Sequence, residues 1–172
     1  MSRAIAAPAR AVVFRVALAA GLCAALGAGC VKIDGGAVEV SWVVRSDTGA
    51  AITDCGCASP AIATVRLVLV LDQGGMPTSY RPCDGQAQCD FPCPRQTGST
   101  AFNIRPTQPD ESYEISVIAL DSTGTPITTV LSPAPILRSV VTGQPTETEA
   151  FELVARCSTA CTMNGSSVCA RP

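Results

Sequence analysis

The chain is poor in several residue types, and each shortage excludes a class of function. It contains no histidine at all, which excludes the Ser-His-Asp and Cys-His arrangements that activate a nucleophile in many hydrolases. Only one lysine is present, Lys32, and the arginines that follow it are scattered along the chain. Because no stretch of positive charge could follow a phosphate backbone, we expect no nucleic-acid partner.

Acidic side chains are the remaining candidates for catalysis, and they are also sparse. Charged residues make up 15% of the chain, and the pairs that could act as acid and base are Asp110 with Glu111 and Glu147 with Glu149. Both pairs fall in turns or at the starts of strands, where solvent-exposed charge is usual. No phosphate-binding loop, dinucleotide fingerprint or calcium loop is present. We therefore predict that the protein is not an enzyme and carries no cofactor.

The first 29 residues have the pattern of a secretory signal peptide. Residues 1–15 carry three arginines and no acidic residue, and residues 16–29 are apolar or small throughout. A positive segment followed by a short apolar segment is typical of signal peptides, whereas a membrane-spanning helix needs about 20 apolar residues. We predict a signal helix that is removed with residues 1–29. The remainder has nine basic and fourteen acidic residues, a net charge of −5.

The residues around the predicted cleavage site resemble the lipobox of bacterial lipoproteins. Leu26-Gly27-Ala28-Gly29-Cys30 places small residues directly before a cysteine, although Gly27 stands where the family usually has leucine. The resemblance implies cleavage by lipoprotein signal peptidase and attachment of acyl chains to Cys30. Val31 follows, where aspartate would imply retention in the inner membrane, so the resemblance implies the outer membrane. The alternative is ordinary cleavage at a small-residue site, which would release a soluble secreted protein.

The lipid predicted on Cys30 would hold the rest of the chain close to the membrane. Each buried CH₂ of an acyl chain stabilises anchoring by about 0.8 kcal/mol, so two or three chains make a durable anchor. Residues 30–36 form a short tether, which spans roughly 20 Å when fully extended. We expect the folded domain to lie near the bilayer surface.

The ten cysteines of the chain support export independently. Cys23 would leave with the signal peptide and Cys30 would carry lipid. The eight that remain are candidates for four disulfides: Cys55, Cys57, Cys83, Cys89, Cys93, Cys157, Cys161 and Cys169. Five of them lie at 55–93 and three at 157–169. Both groups are odd in number, so full oxidation requires at least one bridge between them, and the sequence leaves the pairing open.

Two other roles for the cysteines fit the sequence less well. Cys83, Cys89 and Cys93, or the tail cysteines, could bind zinc, but zinc sites usually show CxxC pairs or histidine partners. Cys55-Gly56-Cys57 has a spacing found in some thiol–disulfide exchange sites, but no thioredoxin-like βαβ pattern surrounds it. We favour structural disulfides and no metal site.

The chain after residue 36 alternates between strand and turn patterns. Residues 37–45 and 112–120 alternate apolar and polar side chains, as half-buried strands do, and residues 62–71 are apolar on nearly both faces, like a central strand. Shorter candidates are 100–105, 125–131, 136–141 and 148–156. We predict an all-β domain at 37–156, a single antiparallel β-sandwich of about seven strands stapled by disulfides. A cysteine-rich loop at 72–99 and a cysteine-rich tail at 157–172 would be tied to it.

Two local patterns resemble known β-sandwich families. Residues 48–53 and 123–128 both contain Thr-Gly followed by an isoleucine after a strand, similar to hairpins of transthyretin-like and carboxypeptidase-regulatory-like domains. Tyr113, near the start of a strand, is similar to the tyrosine corner of immunoglobulin-like sandwiches. These resemblances imply an architecture, and neither implies a ligand.

The predicted anchor, the disulfides and the missing catalytic side chains together suggest a class of function. We expect a membrane-anchored envelope lipoprotein whose domain binds or scaffolds another envelope protein or a glycan without catalysing a reaction. The alternative is a lipoprotein that binds or senses a small molecule or glycan in the cysteine-rich loops, where Tyr80 is the aromatic candidate. Trp42 is in phase with the core face of its strand, so we expect it to pack inside.

Overall fold

The computed structural model describes residues 33–159 and residue 161 of the chain. The predicted signal helix at 1–29, the predicted lipid site Cys30 and Cys169 lie outside the described residues. The described part is all-β, with two sheets and no helix long and apolar enough to cross a membrane. Its strands are β1 (Ala37–Ser46), β2 (Ala58–Ser59), β3 (Thr64–Gln73), β4 (Met76–Pro77), β5 (Asp90–Pro92), β6 (Thr97–Ser99), β7 (Glu111–Leu120), β8 (Ile136–Arg138), β9 (Pro145–Glu147) and β10 (Phe151–Cys157).

The first sheet is assembled around β1, which meets different partners along its length. Its first half pairs with β6 on one side and β9 on the other, and its second half pairs with β10, beyond which lies β2. β9 and β10 run parallel to β1, with Glu39 beside Glu147 and Val44 beside Leu153. Most other pairings are antiparallel, as predicted. The sequence did not reveal the parallel pairs, because alternation fixes the buried face and not the direction of a neighbour.

The second sheet is built on one long pair of strands. β3 and β7 pair antiparallel over their whole length of ten residues, beginning with Thr64 opposite Leu120. β4 and β5 pair with β3, and β8 pairs with β7. β3 is therefore the central strand that its continuous apolar sequence predicts.

The two sheets share one apolar core, which confirms the predicted β-sandwich. Alternate residues of four strands point inward, since side chains on a strand alternate between its faces. The inward side chains are Val38, Val40, Trp42 and Val44, then Val65, Leu67, Leu69 and Leu71, then Tyr113, Ile115, Val117 and Ala119, and finally Phe151, Leu153 and Ala155. Each large apolar side chain buried in this way stabilises the fold by roughly 1.5–3 kcal/mol.

The strand predicted at 100–105 is wrong. This segment is a turn with a single bridge, between Ile104 and Gly36, so Ile104 is buried while Phe102 stays exposed. The strand lies just before it, as β6, whose Thr-Gly-Ser sequence carries no apolar alternation.

The strand predicted at 125–131 is also wrong, because this segment forms only isolated bridges at Pro126 and Leu131. Proline lacks the N–H that a strand ladder needs, which limits pairing here. The strands predicted at 136–141 and 148–156 exist but are shorter, as β8 and β10.

The two Thr-Gly turns share the chemistry that their sequences suggest. Gly49 and Gly124 have φ values of 83° and 80°, a backbone conformation that glycine adopts without steric cost. In the second turn the Thr123 hydroxyl donates a hydrogen bond to Asp121, and this bond is the main reason that the pKa of Asp121 is lowered. The similarity between the two segments is therefore explained by turn chemistry.

Candidate functional site

Disulfide bonding is confirmed in the structure, which describes seven of the eight cysteines expected to form bridges. Six of them form three bridges, Cys55–Cys93, Cys57–Cys161 and Cys83–Cys89. Cys157 is disulfide-bonded as well, to a cysteine outside the described residues. The Cys57–Cys161 bridge joins the central region to the tail across a separation of 104 residues, which is the kind of link that the two odd-numbered groups require.

The Cys55-Gly56-Cys57 segment is a structural junction. Its backbone forms one turn of 3-10 helix, and the Asp54 carboxylate accepts a hydrogen bond from the Gly56 N–H at 2.8 Å. Both cysteines are buried, and each is bonded to a distant partner. This arrangement does not support thiol exchange, which needs an accessible thiolate.

Trp42 lies in the core, as its phase in β1 predicts. It is only 1% exposed, and its indole N–H donates to the Cys93 carbonyl at 3.0 Å. Its ring packs against Phe91, with 6.3 Å between the ring centroids. Phe91 in turn covers Gly98, where any Cβ atom would collide with the phenyl ring. Trp42 is a core residue and does not offer a surface to a ligand.

Tyr80, the aromatic candidate for ligand binding, belongs to a cluster beside the second sheet. It is 41% exposed, and its ring centroid lies 6.5 Å from that of Tyr113 and 5.7 Å from the Arg105 guanidinium carbon. Arg105 also forms an ion pair with Glu111 at 2.9 Å. These contacts hold the loop against β7, so Tyr80 has a packing role and presents only part of its ring to solvent.

Tyr113 makes the hydrogen bond that characterises a tyrosine corner. Its hydroxyl donates to the Arg105 backbone carbonyl, eight residues earlier in the chain, at 3.0 Å. Burial raises the pKa of Tyr113 to about 12. The hydroxyl therefore stays protonated at physiological pH and keeps donating this bond.

The first predicted carboxylate pair has a structural role. Glu111 accepts hydrogen bonds from the Gln108 N–H and from Arg105, each at 2.9 Å, and these bonds lower the pKa of Glu111. Asp110 beside it is exposed at a turn, with a φ of 70°. Neither carboxylate is placed for acid–base chemistry, because Glu111 is held ionised and Asp110 faces solvent.

A shallow groove on the outer face of the first sheet is the candidate binding site. Its volume is about 450 Å³, and it runs along β1 between β6 and β9. Its polar lining residues are Glu39, Ser41, Arg95, Thr97, Ser99, Glu147 and Thr148. Of the second predicted carboxylate pair, only Glu147 lines this groove.

A second depression of about 470 Å³ lies beside β2. It is lined by Ser59, Pro60, Thr129 and Arg156 alone. Binding sites use several convergent polar groups to fix the orientation of a ligand, and the groove along β1 provides more of them.

Strand register places two negative charges side by side in the groove. Glu39 has Glu147 beside it on β9 and Ser99 beside it on β6, and the Ser99 hydroxyl donates to Glu39 at 3.4 Å. Like charges on directly opposite residues destabilise a sheet, so donor groups of a ligand would be favoured between these carboxylates. Arg95 adds a guanidinium to the lining, which can pair with an acceptor group.

The Thr148 hydroxyl oxygen is buried and has no hydrogen-bond partner within residues 33–159. Thr148 lines the groove, and its N–H donates to the Glu39 carbonyl at 3.2 Å. A buried hydroxyl without a partner costs roughly 1–3 kcal/mol. A ligand group that reached this oxygen would offset that cost.

Sequence reasoning missed the groove because each of its residues has the character of an ordinary solvent-facing position. Only the pairing of β1 with both β6 and β9 brings them together, and these strands are far apart in the sequence. The alternation along β1 was a usable signal for Glu39 and Ser41, since it places both on the outer face.

Comparison of the chain with protein-family models, with curated proteins and with solved structures finds no match. In the part of the chain that the structure describes, no three metal-ligating side chains come together as a metal site. The function has to be inferred from the groove, the disulfides and the N-terminal sequence.

Proposed function

We propose that the protein is an exported, lipid-anchored module that binds or scaffolds another component of the cell envelope without catalysing a reaction. The disulfides carry this proposal, above all Cys57–Cys161, because such bridges form and persist in oxidising compartments outside the cytoplasm. The signal-like segment at 1–29 supplies a route of export. The lipobox resemblance at Cys30 supplies the anchor, and Val31 directs it to the outer membrane.

The groove along β1 supports the binding role. Its lining combines two carboxylates, one guanidinium and several hydroxyls, which pair with polar ligands through hydrogen bonds and charge. The buried Thr148 hydroxyl gives such a ligand one fixed contact. An envelope protein segment or a glycan chain carries the donor and acceptor groups that this lining matches.

The same groove favours a second candidate function, the binding or sensing of a small molecule or short glycan. Its volume of about 450 Å³ lies within the ~300–1,000 Å³ that small-molecule sites usually occupy. The two functions differ in the size of the partner, so the mass of a captured adduct distinguishes them.

The anchor is tested by the intact mass of the protein extracted from membranes. We expect a chain that begins at Cys30, carries acyl groups, and lacks two hydrogens for each disulfide. The Cys30→Ser variant should leave the membrane fraction while its disulfides stay intact. An unacylated mature chain in the soluble fraction would contradict the anchor and would support the secreted alternative.

The groove is tested by photo-crosslinking in intact cells, with a photoreactive residue in place of Ser99. Arg95→Ala should reduce capture about tenfold, because one charge-assisted hydrogen bond contributes about 1.5 kcal/mol. The matched control is Arg81→Ala, which removes an exposed arginine outside the groove. Equal capture by the two variants would contradict binding at this site.

A further inference from the structure

The chain enters the sandwich through two glycines, Gly35 and Gly36, that are fastened on both sides. The Gly36 N–H donates to the Ile104 carbonyl at 2.9 Å, and the Ile104 N–H donates back at 3.1 Å. On the other side, the Gly143 N–H donates to the Gly35 carbonyl at 2.9 Å. The point of entrance is therefore held by hydrogen bonds to two separate loops.

These two positions tolerate no side chain. A Cβ atom on Gly35 would lie 2.7 Å from the Phe102 carbonyl oxygen, and one on Gly36 would lie 2.6 Å from the Val141 carbonyl oxygen. Both distances are shorter than real Cβ contacts. The close approach also shows that the backbones of Phe102 and Val141 lie directly beside the entering chain.

Three large apolar side chains are exposed at this end of the sandwich. Ile33 is 45% exposed, Phe102 is 42% exposed and Val141 is 51% exposed. We call these three residues the N-terminal apolar patch. The loop segments 101–104 and 139–144 that carry two of them contain no charged residue, although the chain after residue 30 has a net charge of −5.

The patch lies within a short covalent distance of the proposed anchor. Only Val31 and Lys32 separate Cys30 from Ile33. Five residues from Cys30 to Gly35 span at most about 18 Å, even when fully extended. Because Gly35 is held by the domain, this end of the sandwich cannot move far from an acylated Cys30.

We propose that the N-terminal apolar patch inserts into the headgroup region of the bilayer and fixes the orientation of the sandwich on the membrane. This inference rests on the proposed lipid anchor at Cys30. Apolar side chains at a membrane interface bury roughly 5–10 Å into the boundary between headgroups and acyl chains. The uncharged loops around the patch allow this approach without repulsion from anionic lipids, which the acidic remainder of the domain would meet.

The test places a fluorescent reporter in the patch of the full-length, acylated protein. The Phe102→Trp variant is extracted from membranes and reconstituted into vesicles of phosphatidylethanolamine and phosphatidylglycerol that contain lipids brominated near the headgroup. We expect its added emission to shift to the blue and to be quenched by the brominated lipids. The natural tryptophan, Trp42, is buried and supplies a constant background that the unchanged protein measures.

The matched control is Leu131→Trp at the opposite end of the sandwich. Leu131 is 65% exposed and bridges Val154, which lies beside Arg45 at the far end of β1. Nine residues of strand separate Arg45 from Gly36, a distance of about 30 Å. The emission of Leu131→Trp should show neither the shift nor the quenching.

The outcomes separate the two proposals. If intact mass shows acylation and the protein floats with the vesicles, but Phe102→Trp is quenched no more than Leu131→Trp, the membrane-facing patch is refuted and the anchor stands. If the protein carries no acyl group and does not float, both proposals fail. Val141→Trp serves as the second patch variant if Phe102→Trp does not fold, and it should be quenched in the same way.

Discussion

The two sheets of the sandwich hold together by different means. In the second sheet, β3 and β7 share a continuous ladder over ten residues. In the first sheet, β1 gathers short partners along its length, and β6 and β9 have only three residues each. Two of the bridges described above, Cys55–Cys93 and Cys57–Cys161, start next to β2 at the margin of the first sheet. The covalent staples therefore lie where the hydrogen-bonded ladders are short.

Opening the staple of the first sheet should have the largest effect. Replacing Cys57 and Cys161 by serine releases a loop of 104 residues, for which chain entropy predicts a loss of about 4.7 kcal/mol. The same change at Cys83 and Cys89, which close a loop of 6 residues, should cost about 2 kcal/mol. Guanidinium unfolding measures both losses.

Hydrogen exchange adds a regional readout to this pair of variants. In the protein without the Cys57–Cys161 bridge, exchange should accelerate in β2 and β10 and change little in β3 and β7. A uniform acceleration across both sheets, or equal losses of stability in the two variants, would contradict the distinction between a stapled sheet and a laddered one.

A smaller difference is expected between two matched core leucines. Leu67 in β3 and Leu153 in β10 are both fully buried, and Leu→Ala changes at such positions cost about 2–5 kcal/mol. We expect Leu67→Ala to lie nearer the upper end, because the long ladder around it cannot relax into the cavity. The short pairing around Leu153 permits more relaxation. Unfolding free energies that are equal, or in the reverse order, would show that the sheets respond alike.

The smallest expected effect comes from one hydroxyl of the second sheet. Tyr113→Phe removes the hydrogen bond to the Arg105 carbonyl and should lower the free energy of unfolding by about 1 kcal/mol. Tyr80→Phe, on the exposed side of the same cluster, is the control and should have little effect. A loss in Tyr80→Phe as large as that in Tyr113→Phe would mean that this buried bond has no special weight.

Tyr113 also gives the second sheet a dependence on high pH. Its pKa of about 12 in the folded protein lies above the value of about 10 for an unfolded tyrosine. The folded state therefore holds the phenolic proton more tightly, and this contribution to stability is complete below pH ~10 and is lost as the pH rises through about 12. Unfolding measured across this range should decline less steeply in Tyr113→Phe than in the unchanged protein.

The sequence predicted the laddered sheet better than the stapled one, for a physical reason. Strict alternation in β1 and β7 identified their buried faces, because period-two patterns record which side of a strand is covered. β6 escaped because Gly98 makes room for the Phe91 ring, a contact with a residue outside its own strand. Short strands depend on their partners, so their own residues carry little of the signal.

The candidate site was less predictable than the fold. Counting cysteines indicated a bridge between the middle and the tail, but choosing Cys57 and Cys161 required their positions in space. The groove needed more, because Glu39 and Glu147 become neighbours only through a parallel pairing between the two ends of the domain. Tyr80 and Trp42 were weighed as aromatics, and the polar lining was overlooked because it has no aromatic ring.

The parallel pairing of β1 also dictates an order of events as the polypeptide is made. Chains emerge from the ribosome with the N-terminus first, so β1 is available before any other strand of the domain. Its partners β9 and β10 are the last to appear. Until then β1 presents an unpaired edge, which other strands can join. The nascent protein consequently needs a holding factor, or delayed collapse, over nearly the full span of its synthesis.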